Sequence, residues 1–156
     1  MKTTPFRRRQ DRGQAVVELA LLMPWIIFLF VAVFDFGFYV YALISVEDAA
    51  RVAATNAASS AVAAADPMVP CTSVAAQLKT LPNVGTVTCT CIGSTCTAGT
   101  YVSVSSSYLS GVSGVPAGVD GDPAVEVSIT YQTIPMIPLP FLRGNYTFTR
   151  RVQMRL

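Results

Sequence analysis

Four cysteines carry the clearest chemistry in the sequence: Cys71, Cys89, Cys91 and Cys96. An even number of cysteines predicts disulfide bonds in an oxidising compartment, and four cysteines allow three pairings. The short spacing in CTCIGSTC favours a turn-closing bridge between Cys91 and Cys96, with Cys71 joined to Cys89. A metal site is the alternative, but the Cys-x-Cys spacing does not match common zinc motifs. We therefore expect two disulfides in an exported domain.

The sequence contains no histidine, which removes the commonest general base and the commonest imidazole metal ligand. The Asp-Phe-Gly triplet at residues 35–37 lacks the other motifs of a kinase. The Asp-Gly-Asp triplet at residues 120–122 is a turn signal and lacks the pattern of an EF-hand. Ser/Lys and paired-carboxylate catalysis also lack a diagnostic spacing. We expect no enzyme, no catalytic residue, no cofactor and no bound metal.

Two carboxylates, Glu18 and Asp35, flank the most apolar part of the chain. An unpaired carboxylate in lipid is costly, and a positive partner lowers that cost. Glu18 stands near the start of the apolar segment, and Asp35 stands nearer its far side. For each of them the alternative is an interfacial acid that faces headgroup water.

The apolar segment must position these acids. Residues 19–34 form a run of sixteen without a charge, and the mean hydropathy of the chain is +0.49. As a helix, residues 15–44 span roughly 45 Å, more than the roughly 30 Å of a hydrocarbon core. The run is longer than that of a secretory signal peptide, and no small-residue cleavage site follows it. Residues 14–44 are therefore predicted to form a transmembrane helix, in which Pro24 is a possible kink.

A basic leader precedes this helix. Residues 1–13 contain five lysines and arginines against the single acid Asp11: Lys2, Arg7, Arg8, Arg9 and Arg12. No basic face or interleaved aromatic residues follow, so we expect no nucleic acid partner. Basic residues beside a membrane span predict a cytoplasmic N-terminus, which places everything after about Tyr41 outside.

Beyond the span, residues 45–66 are rich in alanine, the best helix former. We expect the helix to continue outside the membrane to Ala65, before Pro67. A face of small residues would let other elements approach closely: Val46, Ala49, Ala50, Ala53, Ala57 and Val62. Glu47 and Arg51 are spaced to form an ion pair on the exposed side.

Residues 67–156 are predicted to form a small exported domain. The pattern indicates a short helix at residues 71–81 and three or four antiparallel strands, at residues 86–92, 101–105, 124–131 and 145–154. Residues 105–123 are expected to form a long exposed loop. Prolines exclude residues 134–142, IPMIPLPFL, from a central strand, and this segment is expected to cap the core, lie on lipid or contact a partner. The fold class is α+β.

The sequence RGQAVVEL at residues 12–19, followed by a long apolar helix, resembles the N-terminus of type IV pilins and pseudopilins. In that class a prepilin peptidase cuts after the glycine, and an acid stands at the fifth mature position. The corresponding residues here are Gly13, Gln14 and Glu18.

The closer resemblance is to the TadE-like proteins of bacterial tight-adherence (Flp) pilus systems. Their N-terminal region runs GQAAVEFALVLP, then an acid-Phe-Gly triplet, then an N-A-A-R-type helix. This chain has GQAVVELALLMP at residues 13–24, DFG at residues 35–37 and EDAAR at residues 47–51. The motifs follow in the same order and spacing on one predicted helix.

The resemblance implies a pilin-like architecture and a structural role. The chain would be a minor pilin, pseudopilin or assembly factor in the inner membrane, in a pilus used for adhesion, biofilm formation or secretion. Its implied partners are membrane lipid, other pilin or TadE/TadF-like subunits, the prepilin peptidase and the Tad assembly platform. Glu18 would set the register between helices by pairing with the N-terminal amine of a neighbour. The alternative is a membrane-tethered periplasmic binding module that never enters a pilus.

Overall fold

The computed structural model describes residues 10–81, 84–111, 115–133 and 145–156, with side chains from Gly13 onward. It contains three α-helices: α1 (Gln10–Ala57), α2 (Ala61–Ala65) and α3 (Met68–Gln77), the last followed by a 3-10 turn (Leu78–Thr80). Its five strands are β1 (Cys89–Ile92), β2 (Thr95–Ala98), β3 (Val102–Leu109), β4 (Ala124–Gln132) and β5 (Thr147–Arg155). The arrangement is α+β, as predicted. The chain divides between Phe38 and Tyr39 into two compact units.

The first unit contains the N-terminal part of α1. Within the described residues one helix, Gly13–Ala57, is long and apolar enough to cross a membrane. Its most apolar 18-residue window has a mean hydropathy of 2.6, and none of that window is buried. Pro24 lies inside α1, and the helix extends on both sides of it. A helix that is apolar all round belongs in lipid or among other helices.

The second unit begins at Tyr39 and is built around the C-terminal part of α1. Five of the six residues of the predicted small-residue face are fully buried: Val46, Ala49, Ala50, Ala53 and Ala57. Ala42, one turn earlier on α1, is buried with them. Small side chains let the helix backbone approach its neighbours closely. Glu47 and Arg51 form the expected ion pair on the exposed side, with Oε1 and Nη2 2.6 Å apart.

The prediction of one helix as far as Ala65 is wrong in its last part. Helix α1 ends at Ala57, and α2 begins again after Ser60, whose hydroxyl oxygen accepts a hydrogen bond from the Ala63 N–H at 3.1 Å. Serine competes with the helix for backbone hydrogen bonds and is a favoured N-cap, so it interrupts the alanine-rich run. Val62 lies beyond this interruption, is 81% exposed and does not extend the buried face.

The sheet is an antiparallel meander in which each strand pairs with the next, in the order β1-β2-β3-β4-β5. One face carries alternating buried residues of β3 and β4 that pack in the same core as α1 and α3: Val102, Val104, Val125, Val127, Ile129 and Tyr131. The other face carries mainly serine, threonine and charged side chains. This alternation is typical of a sheet with one face toward the core.

Two predictions about the sheet need correction. Strand β2 was not predicted, and it pairs with β1 through a two-residue loop that starts at Gly93, which has a φ of 63°. The predicted loop at residues 105–123 is a strand as far as Leu109, because Ser105 and Ser107 occupy outward positions of β3 that alternate with the buried Val104 and Ser106. The predicted segment at residues 134–142 lies outside the described residues.

Candidate functional site

The start of the apolar helix brings together the residues of the predicted processing and register site. Gly13, Gln14 and Glu18 lie within the first turns of α1 that have described side chains, and all three are exposed. The Gln14 side-chain amide donates a hydrogen bond to Glu18 Oε1 at 3.3 Å, across one turn of the helix. Apart from its chain neighbours and the helix's own backbone, no described residue has a heavy atom within 4 Å of the position that a Cβ on Gly13 would take. The Gly13–Gln14 peptide and the Glu18 carboxylate are thus both accessible.

The surface that follows this site is apolar on every side. Large side chains along it keep much of their surface uncovered, among them Trp25, which is 69% exposed, and Phe30, which is 72% exposed. The basic residues predicted to set the topology cannot be placed in the same way: Arg7, Arg8 and Arg9 lie outside the described residues. Arg12 belongs to α1, but its side chain is not among the described ones.

Asp35 stands toward the far end of the apolar surface. Its side chain is half-buried, and its Oδ1 atom is buried without a hydrogen-bond partner among the residues that the structure describes. A buried, unsatisfied carboxylate oxygen carries a desolvation cost of a few kcal/mol, of order 1–3.

The four cysteines form two disulfides in the second unit. Cys71 on α3 is joined to Cys89 on β1, and Cys91 on β1 is joined to Cys96 directly opposite it on β2. This is the pairing that the spacing favoured. The sulfur atoms of Cys71, Cys91 and Cys96 lie within 4.8 Å of one another, a grouping that could also suit a metal ion. With both disulfides formed, these sulfurs are not thiolates, and the thiolate is the form that binds metal.

The disulfides attach the small helix to the edge of the sheet. β1 and β2 are only four residues each, and short hairpins are marginally stable on their own. The Cys71–Cys89 bond joins this hairpin to α3, and the Cys91–Cys96 bond closes the hairpin itself. The two bonds therefore hold the β1–β2 hairpin together and hold it against α3.

The Asp-Gly-Asp triplet at residues 120–122 forms a turn, as predicted. Gly121 has a φ of 83°, and its N–H donates to the Gly118 carbonyl at 2.9 Å. Asp122 is engaged by the Arg155 guanidinium in an exposed ion pair.

An aromatic cluster that sequence analysis did not single out lies where the second unit begins. The ring centroid of Tyr39 is 6.0 Å from that of Tyr146 and 5.9 Å from that of Phe148, both in edge-to-face geometry. The Tyr41 hydroxyl lies 3.4 Å from the Thr80 hydroxyl oxygen. The available signal was the pair of tyrosines directly after the apolar run, since tyrosines concentrate at membrane interfaces.

Comparison with known proteins agrees with the geometry of α1. The family model described as TadE-like protein matches residues 13–55. The match starts at the glycine of the predicted processing site and ends two residues before the end of α1. It therefore covers the exposed apolar helix and most of the buried small-residue face, and none of the sheet.

No curated protein and no solved structure matches the chain. The assignment depends on the N-terminal helix, where the motif order, the exposed apolar surface and the family model agree. The predicted resemblance is confirmed over residues 13–55, which match the family model described as TadE-like protein.

Proposed function

We propose that the chain is a minor pilin, pseudopilin or assembly factor of a Flp-type (Tad) pilus, held in the bacterial inner membrane by α1. Its N-terminus is cytoplasmic and its disulfide-containing domain is periplasmic. The role is structural and non-catalytic. The observation that carries the proposal is the division of one TadE-like helix into an apolar, unburied first part and a second part that is buried on one face by its own domain.

The exposed part of α1 supports an assembly role as well as an anchor. Removing apolar surface from water is worth about 25 cal/mol per Å², so a helix that exposes side chains such as Trp25 and Phe30 needs an apolar environment. Lipid supplies that environment in the membrane, and the helices of neighbouring subunits supply it in a filament. One surface thus serves both for storage in the bilayer and for assembly.

Glu18 supplies the register in this proposal. Cleavage after Gly13 leaves an amine on Gln14, and the amine of one subunit can pair with the Glu18 carboxylate of its neighbour. Within one chain the Gln14 amide binds only the Oε1 atom of that carboxylate. Pairing removes an uncompensated charge from an apolar environment, and it does so at only one axial offset between helices.

The experiment compares Glu18→Gln with Asp48→Asn in cells that carry the complete pilus system. Asp48 is also an exposed acid of α1, but it lies beyond the span and is a matched control. We expect Glu18→Gln to insert into the membrane normally and to lose filament assembly, while Asp48→Asn assembles normally. Normal pilus yield from Glu18→Gln would refute the role of Glu18 in register.

The alternative is a membrane-tethered periplasmic binding module. The observation in its favour is that the family model stops at residue 55, so the likeness to TadE-like proteins does not extend to the sheet. Purified, sheared filaments separate the two functions. The chain is present in those filaments if it is a pilus component and stays in the membrane fraction if it is a tethered module.

A further inference from the structure

Tyrosines are concentrated at one end of the second unit. Tyr39 makes ring contacts with Tyr146 and Phe148, and Tyr41 follows it on α1 with its hydroxyl beside that of Thr80. Tyr41 is 48% exposed and Tyr146 is 58% exposed. We call this group of residues the tyrosine end.

The sheet brings further tyrosines to the same place. The Tyr131 ring lies 5.4 Å from that of Phe148, and the Tyr101 carbonyl accepts a hydrogen bond from the Gln132 N–H at 3.0 Å. Tyr101 is half-buried, like Tyr39. Of the six tyrosines in the chain, all of which the structure describes, only Tyr108 lies toward the opposite end of β3. Tyr131 is fully buried in the core, so the tyrosines that this end presents most openly to a partner are Tyr41 and Tyr146.

The position of Tyr39 along α1 indicates the outer membrane–water boundary. A hydrocarbon core of about 30 Å takes about 20 helical residues, so a core that begins at Gln14 ends near Phe34. Asp35 then falls at its edge, and Tyr39 and Tyr41 fall roughly 8 to 10 Å beyond it, at the level of the headgroups. Tyrosine is enriched at this depth because its ring is apolar and its hydroxyl is polar.

Cations accompany the tyrosines. Lys79 directly precedes Thr80, the neighbour of Tyr41, and it is exposed. Arg150 is exposed and lies two residues after Phe148, about 7 Å along β5. Neither cation forms an ion pair with any described residue, so both are available to a partner with negative charge.

The acids of the sheet lie toward the opposite end and are engaged there. Glu126 Oε2 accepts a hydrogen bond from the Gln153 side-chain amide at 2.6 Å, and Asp122 pairs with Arg155. On α1 the acids at residues 47–48 begin about 12 Å beyond Tyr39. The charge of the second unit is therefore positive beside the tyrosine end and negative away from it.

We propose that the tyrosine end rests in the phosphate headgroup layer on the outer face of the membrane, with Lys79 and Arg150 bound to lipid phosphates. This inference depends on the membrane anchoring in the proposed function and adds a second contact with the bilayer. Because the contact is made by α1, the 3-10 turn and the start of β5 together, it fixes the orientation of the whole domain above the membrane.

The test uses the full-length chain in vesicles of phosphatidylcholine and phosphatidylglycerol, with part of the phosphatidylcholine brominated on its acyl chains near the glycerol. Trp25 is the only tryptophan, so the Trp25→Phe variant has no tryptophan fluorescence and a tryptophan introduced elsewhere supplies the whole signal. Into this background we would place Tyr146→Trp, Tyr41→Trp or, as the matched control at the far end of β3, Tyr108→Trp. We expect bromine to quench the first two variants at least about twofold more strongly than the control.

A second arm tests the cations. Adding Lys79→Gln and Arg150→Gln to the Tyr146→Trp variant should reduce quenching, and the reduction should disappear in vesicles without phosphatidylglycerol. Resistance of all four cysteines to alkylation in each variant shows that both disulfides have formed, and an unchanged thermal unfolding transition shows that the domain is folded.

The native Trp25 separates failure of the anchor from failure of this inference. Strong quenching of Trp25 in the unsubstituted chain, in matched vesicles whose lipids are brominated near the ends of their acyl chains, shows that the helix is inserted, because Trp25 lies near the middle of the core. If Trp25 is quenched while the Tyr146→Trp and Tyr41→Trp variants respond no more than the control, the domain does not rest on the lipid and the inference is overturned. Shielding of those tryptophans from water without quenching by bromine would point to a protein neighbour and would also overturn it.

Discussion

Tyr39 of α1 meets Phe148 of β5 edge to face, with 5.9 Å between the ring centroids. The contact ties the start of the second unit to the last strand of its sheet. Edge-to-face pairs add about 0.5–1.5 kcal/mol beyond the burial of area. We therefore expect Phe148→Leu to lower the free energy of unfolding by about 1 kcal/mol in detergent. Met154→Leu, on the same face of β5 and also half-buried, is the control and should change stability less; equal effects of the two substitutions would contradict the role of the ring contact.

The small-residue face of α1 gives a prediction about packing. Ala50 is fully buried, whereas Val52 is exposed at the edge of the same helix. Extra methylenes in a packed site cost about 1–3 kcal/mol, so Ala50→Leu should destabilise the domain by that amount. Val52→Leu serves as the control and should be close to neutral. The unfolding temperatures of both variants check this prediction. An Ala50→Leu variant that unfolds at the same temperature as the unsubstituted chain would show that the face is not closely packed.

The cap at Ser60 gives a prediction about the break between the two helices. Its hydroxyl accepts a hydrogen bond from the Ala63 N–H, and loss of such a cap costs about 1 kcal/mol. The Ser60→Ala variant should therefore have a free energy of unfolding lower by about that amount than the control variant Ser59→Ala. Ser59 is the preceding residue and is also exposed. If the two variants unfold at the same denaturant concentration, the restart of the helix at Ser60 does not depend on the cap.

The two disulfides should contribute unequally. The entropy of loop closure grows with the number of residues enclosed, which favours Cys71–Cys89 at a separation of 18 over Cys91–Cys96 at a separation of 5. Paired substitution to alanine should cost about 3 kcal/mol for the first bond and about 2 kcal/mol for the second. Denaturant titration of the two double variants measures the difference, and the reverse order would show that the loop argument does not govern this domain.

Processing of the leader is tested at the N-terminus. In cells with an active prepilin peptidase we expect mass spectrometry to find a chain that begins at Gln14, because the Gly13–Gln14 peptide is exposed and an acid follows at Glu18. Gly13→Val should block cleavage and leave the original end. An intact Met1 end in the unsubstituted chain would refute processing.

The parts of the fold that could be predicted from sequence are those governed by one strong periodic signal. The unbroken apolar run predicts α1, and the alternation in residues 124–131 predicts β4, because no competing preference acts on them. The end of α1 could not be predicted in the same way. Alanine favours helix throughout residues 45–66, and the interruption depends on the Ser60 hydroxyl, a local hydrogen bond that outweighs helix propensity.

The prediction missed β2 and the part of β3 beyond Ser105 for a different reason. β2 is four residues long and has little apolar content, so it depends on pairing with β1 and β3 and on the Cys91–Cys96 bond. The serines in β3 resemble a loop by composition, yet they occupy its outward positions beside the buried Val104. In both strands tertiary pairing overrides local composition. The tyrosine end was missed because its members are separated in sequence and meet only in the folded domain.

Attachment of the chain to the membrane through α1 can be tested by extracting cell membranes with alkaline carbonate. This treatment removes peripheral proteins and leaves proteins that span the bilayer in the pellet. We expect the chain to stay in the pellet, because large apolar side chains of its span, such as Trp25 and Phe30, are mostly exposed in the structure. Recovery of the chain as a soluble monomer, with Trp25 and Phe30 folded inside it, would contradict the account.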